Sequence, residues 1–242
     1  MAGLTGPVTL AGTAVMEIAE SLAGIILAQL VRPGTPCVFG GTSGSADLRF
    51  GSSSIGSPEL IKFMGISTQM AEYYGLPCRY GGGLTDAQFP DMQAGAESAM
   101  AIALSLVSGV NYMHQACGTL GCYTAMSFEK FVIDEELGGH IKRAVQPLEI
   151  NKETLALDVI KRNLNAGNFL CDSETLARCR SEFFIPELAQ RSSYDNWVSE
   201  GRKDIVAIAE KHVQKRLESY VKPDIDPDVE KDLLQYVKSK FN

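Results

Sequence analysis

Two hydrophobic periods alternate along the first half of the chain. From Ala11 to Val31 the apolar residues Ile18, Leu22, Ile25 and Ile26 recur at helical spacing, which predicts a helix ended by Pro33-Gly34. The apolar run Leu22 to Val31 reads as buried. Pro36 to Gly40 is a short apolar run, expected to be a buried strand, and it opens into a Gly/Ser-rich loop from Gly41 to Ser57. Ser57-Pro58-Glu59 then supplies a cap and a proline at the first helical position, so a helix is expected from Pro58 to Tyr74. Strand signals return at Leu76 to Tyr80 and at Val110 to Gln115, with a helical pattern from Asp91 to Ser108 between them. Residues 1 to 10 resemble the tail of a strand turning through Gly3 and Gly6-Pro7.

After the loop Ala116 to Ala125 the periodicity is helical and polar. Helices are expected from Ser127 to Val145, Asn151 to Ala166, Ser173 to Phe184, Tyr194 to Trp197, Arg202 to Tyr220 and Asp226 to Phe241, with a stiff hinge at Lys222 to Pro227. The expected division is residues 1–125, which carry the strands and the loops of the site, and a helical part at 126–242. Short strands alternating with helices of about 15 to 20 residues are the rhythm of parallel βα units, so the class is α/β. The rhythm fits either an open doubly wound sheet or a (β/α)8 barrel.

The stretch Tyr80 to Glu97 organises this pattern: a strand stops in Gly81-Gly82-Gly83, an acidic loop follows, and a helix begins near Asp91. In parallel α/β proteins such a turn lies at the carboxyl edge of the sheet, where ligands bind.

Composition narrows the class further. With 242 residues, 45% hydrophobic and 21% charged, the chain has the make-up of a globular protein with one sizeable core. A net charge of -7 and no Lys/Arg cluster argue against a nucleic-acid partner. Leu22 to Val31 is about half the length of a membrane span and follows Glu17 and Glu20, which points to a cytoplasmic protein without a membrane partner. The cysteines, Cys37, Cys78, Cys117, Cys122, Cys171 and Cys179, include no Cys-x-x-Cys pair and read as reduced thiols packed as small hydrophobes.

No phosphate-binding glycine signature or nucleophile elbow is present, and His114 with Cys117 lacks the second pair that a zinc site needs. What remains is a set of groups at strand carboxyl ends: Phe39 with Asp47 and Arg49, Tyr80 with Asp86 and Asp91, and Tyr112 with His114 and Gln115. Aromatic rings with carboxylates suit an organic cation. Each has a plainer reading: Asp91 as a helix cap, Gln93 and Glu97 as a solvated i, i+4 pair, His114 as a hydrogen-bonded interior histidine.

The string Gly82-x-x-Thr85-Asp86-Ala87-x-x-Pro90-Asp91-x-Gln93-Ala94-Gly95-x-Glu97 resembles the core of the trimethylamine methyltransferase family. So do Ala23 to Leu30, Gly56-Ser57-Pro58-Glu59-Leu60, Tyr74-Gly75-Leu76-Pro77 and Ser127-x-Glu129 with Val132-Ile133-Asp134. The resemblance implies a (β/α)8 barrel that transfers a methyl group from an amine to the cobalt of a separate corrinoid protein. No cofactor is then bound by the chain itself.

Leu84 stands where trimethylamine methyltransferases carry pyrrolysine, so the chain is similar to the non-pyrrolysine branch that includes glycine betaine methyltransferases. A quaternary ammonium has no lone pair for an imine to capture and needs no activation, because attack on a methyl releases a neutral tertiary amine. The resemblance thus implies Leu84, Asp86, Gln93 and Glu97 on the reacting side. Phe39, Tyr80 and Tyr112 would cage the cation, each ring contributing roughly 0.5 to 2 kcal/mol, with Asp91 beside it. A betaine carboxylate would need a donor, for which Arg49, Arg79 and His114 are the candidates, and Arg49 is preferred because Arg79, next to Tyr80, should point to the other side of the strand. Family members are nearly twice as long, so the chain corresponds to their C-terminal half, expected to hold about the last four βα units. A short gene product, a fragment, or two copies assembling one barrel would each account for that length. True trimethylamine methyltransferase activity, and a catalytically silent binder of the amine or of the corrinoid protein, are the alternative readings.

Overall fold

The computed structural model describes residues 1–241. Helix α1 spans Leu10–Val31 and stops at Arg32, where Pro33 removes the next donor. Helix α2, Pro58–Tyr73, follows Ser57 with its proline in the first turn. In α3, Met92–Ser108, the Asp91 carboxylate accepts from the Ala94 N–H at 2.9 Å, and Gly109 ends the helix in the left-handed region at φ 83°. In α4, Phe128–Val145, Ser127 Oγ accepts from the Lys130 N–H at 3.1 Å. These four helices lie within two residues of the expected bounds, because their end signals act locally.

The later helices are shorter. They are α5 (Leu157–Asn163), α6 (Ser173–Glu182), α7 (Tyr194–Ser199), α8 (Ile205–Glu218) and α9 (Pro227–Phe241). The expected helix from Asn151 begins only at Leu157. Asn151 Oδ1 accepts from the Glu153 and Thr154 N–H groups instead, holding a turn that competes with the helix.

Six short strands form among the described residues. In chain order they are β1 (Ser45–Asp47), β2 (Ser52–Ser54), β3 (Arg79–Gly81), β4 (Tyr112–His114), β5 (Thr119–Leu120) and β6 (Ala125–Met126). Strands β3 and β4 pair in parallel, Arg79 opposite Tyr112 and Gly81 opposite His114. Phe39 bridges Cys78 in parallel on the other side, so three strand segments lie side by side. The two loops expected to be open each fold into an antiparallel hairpin, β1 with β2 and β5 with β6.

Five helices pack in series, α1 on α2, α2 on α3, α3 on α4 and α4 on α8, and α2 and α3 contact β3 of the sheet. Leu60, Phe63 and Met64 of α2 are fully buried against Tyr80 and Leu84. Each such side chain contributes about 1.5–3 kcal/mol of burial. Phe39 and Cys78 pack on Ala71, with Ile18, Leu22 and Ile25 of α1 at the margin.

The architecture is α/β, but no closed barrel forms among the described residues. Where four parallel units were expected, three segments align. Ala2 bridges Gly6 and Ser45 instead of joining the sheet, because the turn at Gly3 carries it to the β1–β2 hairpin, where its N–H donates to the Gly44 carbonyl at 2.9 Å.

Helix α1 is not the buried helix its composition suggests. Its inner face holds Glu17, whose carboxylate accepts from Tyr80 Oη at 3.2 Å, from the Ser43 N–H at 3.1 Å and from Ser67 Oγ. Ile26, Leu27, Leu30 and Val31 are exposed. With a mean hydropathy of 1.7 over its best 18 residues, α1 is long and apolar enough to cross a membrane by length and composition.

Candidate functional site

Strand alternation sorts the expected site residues onto two faces of the sheet. Phe39, Cys78 and Tyr80 share the face that meets the helices, while Arg79, Tyr112 and His114 share the other. Phe39 and Tyr80 are therefore fully buried, and the Tyr80 hydroxyl is used up in donation, to Glu17 and to the Ser43 carbonyl at 3.0 Å. Burial and the Glu17 carboxylate push its pKa far above the usual phenol range, so it stays a donor. Tyr112 is exposed on the opposite face. The three rings expected to cage a cation do not meet, because alternation along the paired strands puts Tyr112 on the face opposite Phe39 and Tyr80.

On the open face, at the carboxyl ends of β3 and β4, lies a cavity of about 480 Å³ whose wall includes Ile55, Arg79, His114, Gln115, Cys122 and Tyr123. Arg79 Nη2 donates to His114 Nδ1 at 3.3 Å. An arginine only donates, so Nδ1 accepts and the imidazole proton sits on Nε2. The Tyr123 pKa is pushed up by burial, with the neighbouring Cys122 adding and Arg79 opposing. Arg49, the expected carboxylate partner, stands outside this cavity. It is 80% exposed and its guanidinium closes on Asp47 at 2.6 Å within the β1–β2 hairpin, a local pairing that the open-loop reading of 41–57 did not contain.

The three glycines after β3 are required by close approach. A Cβ at Gly82 would lie 2.5 Å from Met113 Cγ, and one at Gly83 would lie 2.1 Å from the Ala116 carbonyl oxygen. The turn thus presses against the loop after β4. Leu84 then turns inward and is 1% exposed, in the same apolar cluster as Ile55, with Cys122 packed on that cluster. It supports the cavity wall from beneath and does not line it.

The acidic loop is tied at both ends. Asp86 accepts from Ser54 Oγ at 2.5 Å and from the Ile55 N–H at 2.9 Å, which fastens it to the β2 hairpin. Glu97 accepts from Thr85 Oγ1 at 2.5 Å, from the Asp86 N–H at 2.9 Å and from Gln93 Nε2 at 2.9 Å. None of Asp86, Asp91, Gln93 and Glu97 lines the cavity: Asp91 caps α3, and the other three hold the loop.

Lys130 was not singled out in the sequence. Its side chain is 1% exposed, and Nζ donates to the Gly83 carbonyl at 3.1 Å, to Ser98 Oγ at 2.9 Å and to Asp134 Oδ2 at 2.5 Å. Asp134 also accepts from the Gly118 N–H at 2.9 Å. One buried ion pair therefore joins the glycine turn, α3, α4 and the loop after β4. Burial pushes the Asp134 carboxyl up, and Lys130 opposes that shift. A lysine and an aspartate at i, i+4 in the apolar half of a helix pattern were the available signal.

The cysteines are unpaired, and Cys171 is exposed where a buried context was expected. Cys117, in the same loop as Gly118, has its thiol pushed up to about 11, mainly by burial, with Asp134 and Glu135 adding to it and Lys130 opposing. Its alkylation is expected to be slow at neutral pH and to rise by about tenfold per pH unit up to that value. Peptide mapping by mass spectrometry after timed alkylation checks this, with the exposed Cys171 as the fast reference. Among the described residues no group of three or more His, Cys, Asp or Glu side chains converges as a metal site.

Comparison with known proteins shows the family. The family model described as trimethylamine methyltransferase (MTTB) matches residues 1–242. A glycine betaine methyltransferase of Desulfitobacterium hafniense (strain Y51) is 40% identical over 240 residues, 99% of this chain and 50% of that protein. Trimethylamine methyltransferase MttB2 of Methanosarcina mazei is 36% identical over 234 residues, 96% of this chain and 47% of that protein. A trimethylamine methyltransferase of Desulfitobacterium hafniense (strain DSM 10664 / DCB-2) is 34% identical over 220 residues, 91% of this chain and 44% of that protein. The chain spans about half the length of the curated relatives it matches.

Proposed function

The chain belongs to the trimethylamine methyltransferase family, and on that premise we propose that it carries substrate-binding loops of an enzyme that moves a methyl group from a quaternary amine to a corrinoid protein. The acceptor is the Co(I) centre of the separate partner, which is a substrate of the reaction. The parallel sheet is one sector of a (β/α)8 barrel completed by further strands, and the open face bearing Arg79, Tyr112 and His114 is its lumen side.

One observation carries this reading: Leu84, at the position that the resemblance gives to pyrrolysine, is an aliphatic side chain locked in the core. It offers no electrophile to capture an amine lone pair. A donor whose nitrogen already bears four carbon substituents needs none, since the departing tertiary amine is neutral. What the protein must supply is orientation, with one methyl held toward the acceptor in a near-attack geometry. Asp86 and Glu97 serve that task by fixing the loop between the glycine turn and α3.

With this chain, together with any residues that its open reading frame adds, methyl transfer to a Co(I) corrinoid protein is expected from glycine betaine, proline betaine or carnitine in preference to trimethylamine. Trimethylamine as the better donor, or no transfer from any of them, overturns the reading. The chain spans half the length of its relatives, which favours a second reading, a binder without turnover. Calorimetric binding of a betaine without methyl transfer supports it.

A further inference from the structure

Helix α9 has no partner within its own chain. Val229, Leu233, Tyr236 and Val237 recur along it at i, i+4, i+7 and i+8, which puts them on one face. Among the described residues no helix or strand packs against that face, and each of the four side chains is at least half exposed. An isolated helix of 15 residues is marginal in water, so most of its stability must come from covering such a face. The linker explains why its own chain does not cover it. Residues 220–226 form no helix or turn, and Pro223 and Pro227 hold Lys222 and Asp226 extended. The Lys222 ammonium also meets the Glu230 carboxylate across the joint. A stretch stiffened in this way carries α9 off the body instead of folding it back.

The body holds a groove of matching character. Between the start of α3, α4 and the start of α8 lies a cavity of about 670 Å³ with Met92, Ile133, Leu137, Ile205 and Val206 in its wall. Its rim is acidic. Asp91, Glu136 and Asp204 stand on it, while Lys130 is matched by Asp134 and the remaining ionisable group is His140. Helix α9 complements this in chemistry and in direction. Its last turn is basic, with Lys238 and Lys240, and the Lys240 ammonium lies over the Tyr236 ring at 5.7 Å. Its carboxylates, Asp228, Glu230 and Asp232, all precede Leu233, so the end suited to an acidic groove is the C-terminal one.

We propose that α9 of one copy docks in this groove of a second copy and receives the second copy's α9 in return, giving a two-fold symmetric dimer. Leu233, Tyr236 and Val237 are the anchors of a helix laid in a groove, and Lys238 and Lys240 meet the acidic rim. Reciprocal exchange buries two such contacts at once and closes the assembly. Because Asp91 and Met92 directly follow the acidic loop, the second copy's helix also steadies the end of that loop. The dimer is independent of which amine donates the methyl group.

Analytical ultracentrifugation of the chain over a concentration series is expected to show a monomer–dimer equilibrium. Leu233→Asp with Val237→Asp, on a face that touches nothing in one copy, should weaken the dimer by about 100-fold or more, since each carboxylate would be desolvated against an apolar wall. Met92→Glu, at an exposed groove position, should weaken it too by adding charge to an acidic rim, whereas Met92→Leu should keep it. Circular dichroism verifies that each variant is folded. Chains grown with light and heavy nitrogen, mixed and treated with a carbodiimide that joins touching lysines and carboxylates, should give Lys238 or Lys240 bonded to Asp91, Glu136 or Asp204 across the isotope boundary. A monomer at every concentration, a dimer that survives both disruptive variants, or links confined to chains of one isotope overturns the assignment.

Discussion

Lys130→Met is expected to destabilise the chain by about 3–5 kcal/mol, the cost of leaving one member of a buried ion pair without its partner. Lys130 and Asp134 are 1% and 2% exposed, so water cannot replace the lost contact. The ammonium also donates to the Gly83 carbonyl and to Ser98, whose hydroxyl is fully buried, and the thioether of methionine replaces neither bond. The deficit has a definite pH dependence. Burial already pushes the Asp134 carboxyl up and Lys130 opposes this, so removing Lys130 raises it further. The folded variant then holds a proton that the unfolded chain releases, and its stability increases as the pH falls through the raised value. The deficit should be smaller near about pH 5 than at neutral pH. Lys130→Met with Asp134→Leu should recover part of the loss, since it removes the unpaired charge but leaves the Gly83 carbonyl, the Ser98 hydroxyl and the Gly118 N–H without their partners. Urea unfolding of the two single variants and the pair, at both pH values, measures all of this. A Lys130→Met variant as stable as the wild type would show that the pair does not hold the four elements together.

Gly83→Ala should cost about 3 kcal/mol, at the upper end of the range for overpacking. The added Cβ would stand 2.1 Å from the Ala116 carbonyl oxygen and 3.1 Å from Asp134 Oδ2, and the first of these is backbone that cannot rotate away. The turn must then separate from the loop after β4, which should also weaken any ligand of the cavity on the same edge. Gly95→Ala, twelve residues later in the same motif, is the contrast. Gly95 lies inside α3 with no atom within 4 Å of its added Cβ. There alanine should stabilise by about 0.5–1 kcal/mol, through helix propensity. Denaturation midpoints of the two variants with opposite signs would separate a glycine that packing needs from one that packing does not. Equal signs would contradict the observed contact.

Local signals carried much of the fold. Asp91 and Ser127 cap α3 and α4, Pro58 opens α2 and Gly109 closes α3, and each acts within a turn of itself, so the sequence by itself determined these boundaries. It also determined the parallel strand segments at Phe39, Tyr80 and Met113, the strand–glycine turn–helix unit, and the family. What only the tertiary structure decided is which way the side chains of those strands face. Alternation makes Tyr80 and Arg79 opposites, but its phase is set by α1 and α2, whose Glu17 and Phe63 take the Tyr80 side into the core. The same long-range packing turned two glycine-rich loops into hairpins, brought Tyr123 beside Arg79, and buried Lys130 against a carbonyl 47 positions earlier. Caps and turns are specified by neighbours in sequence, whereas a site is specified by which distant helices claim one face of a strand and leave the other open.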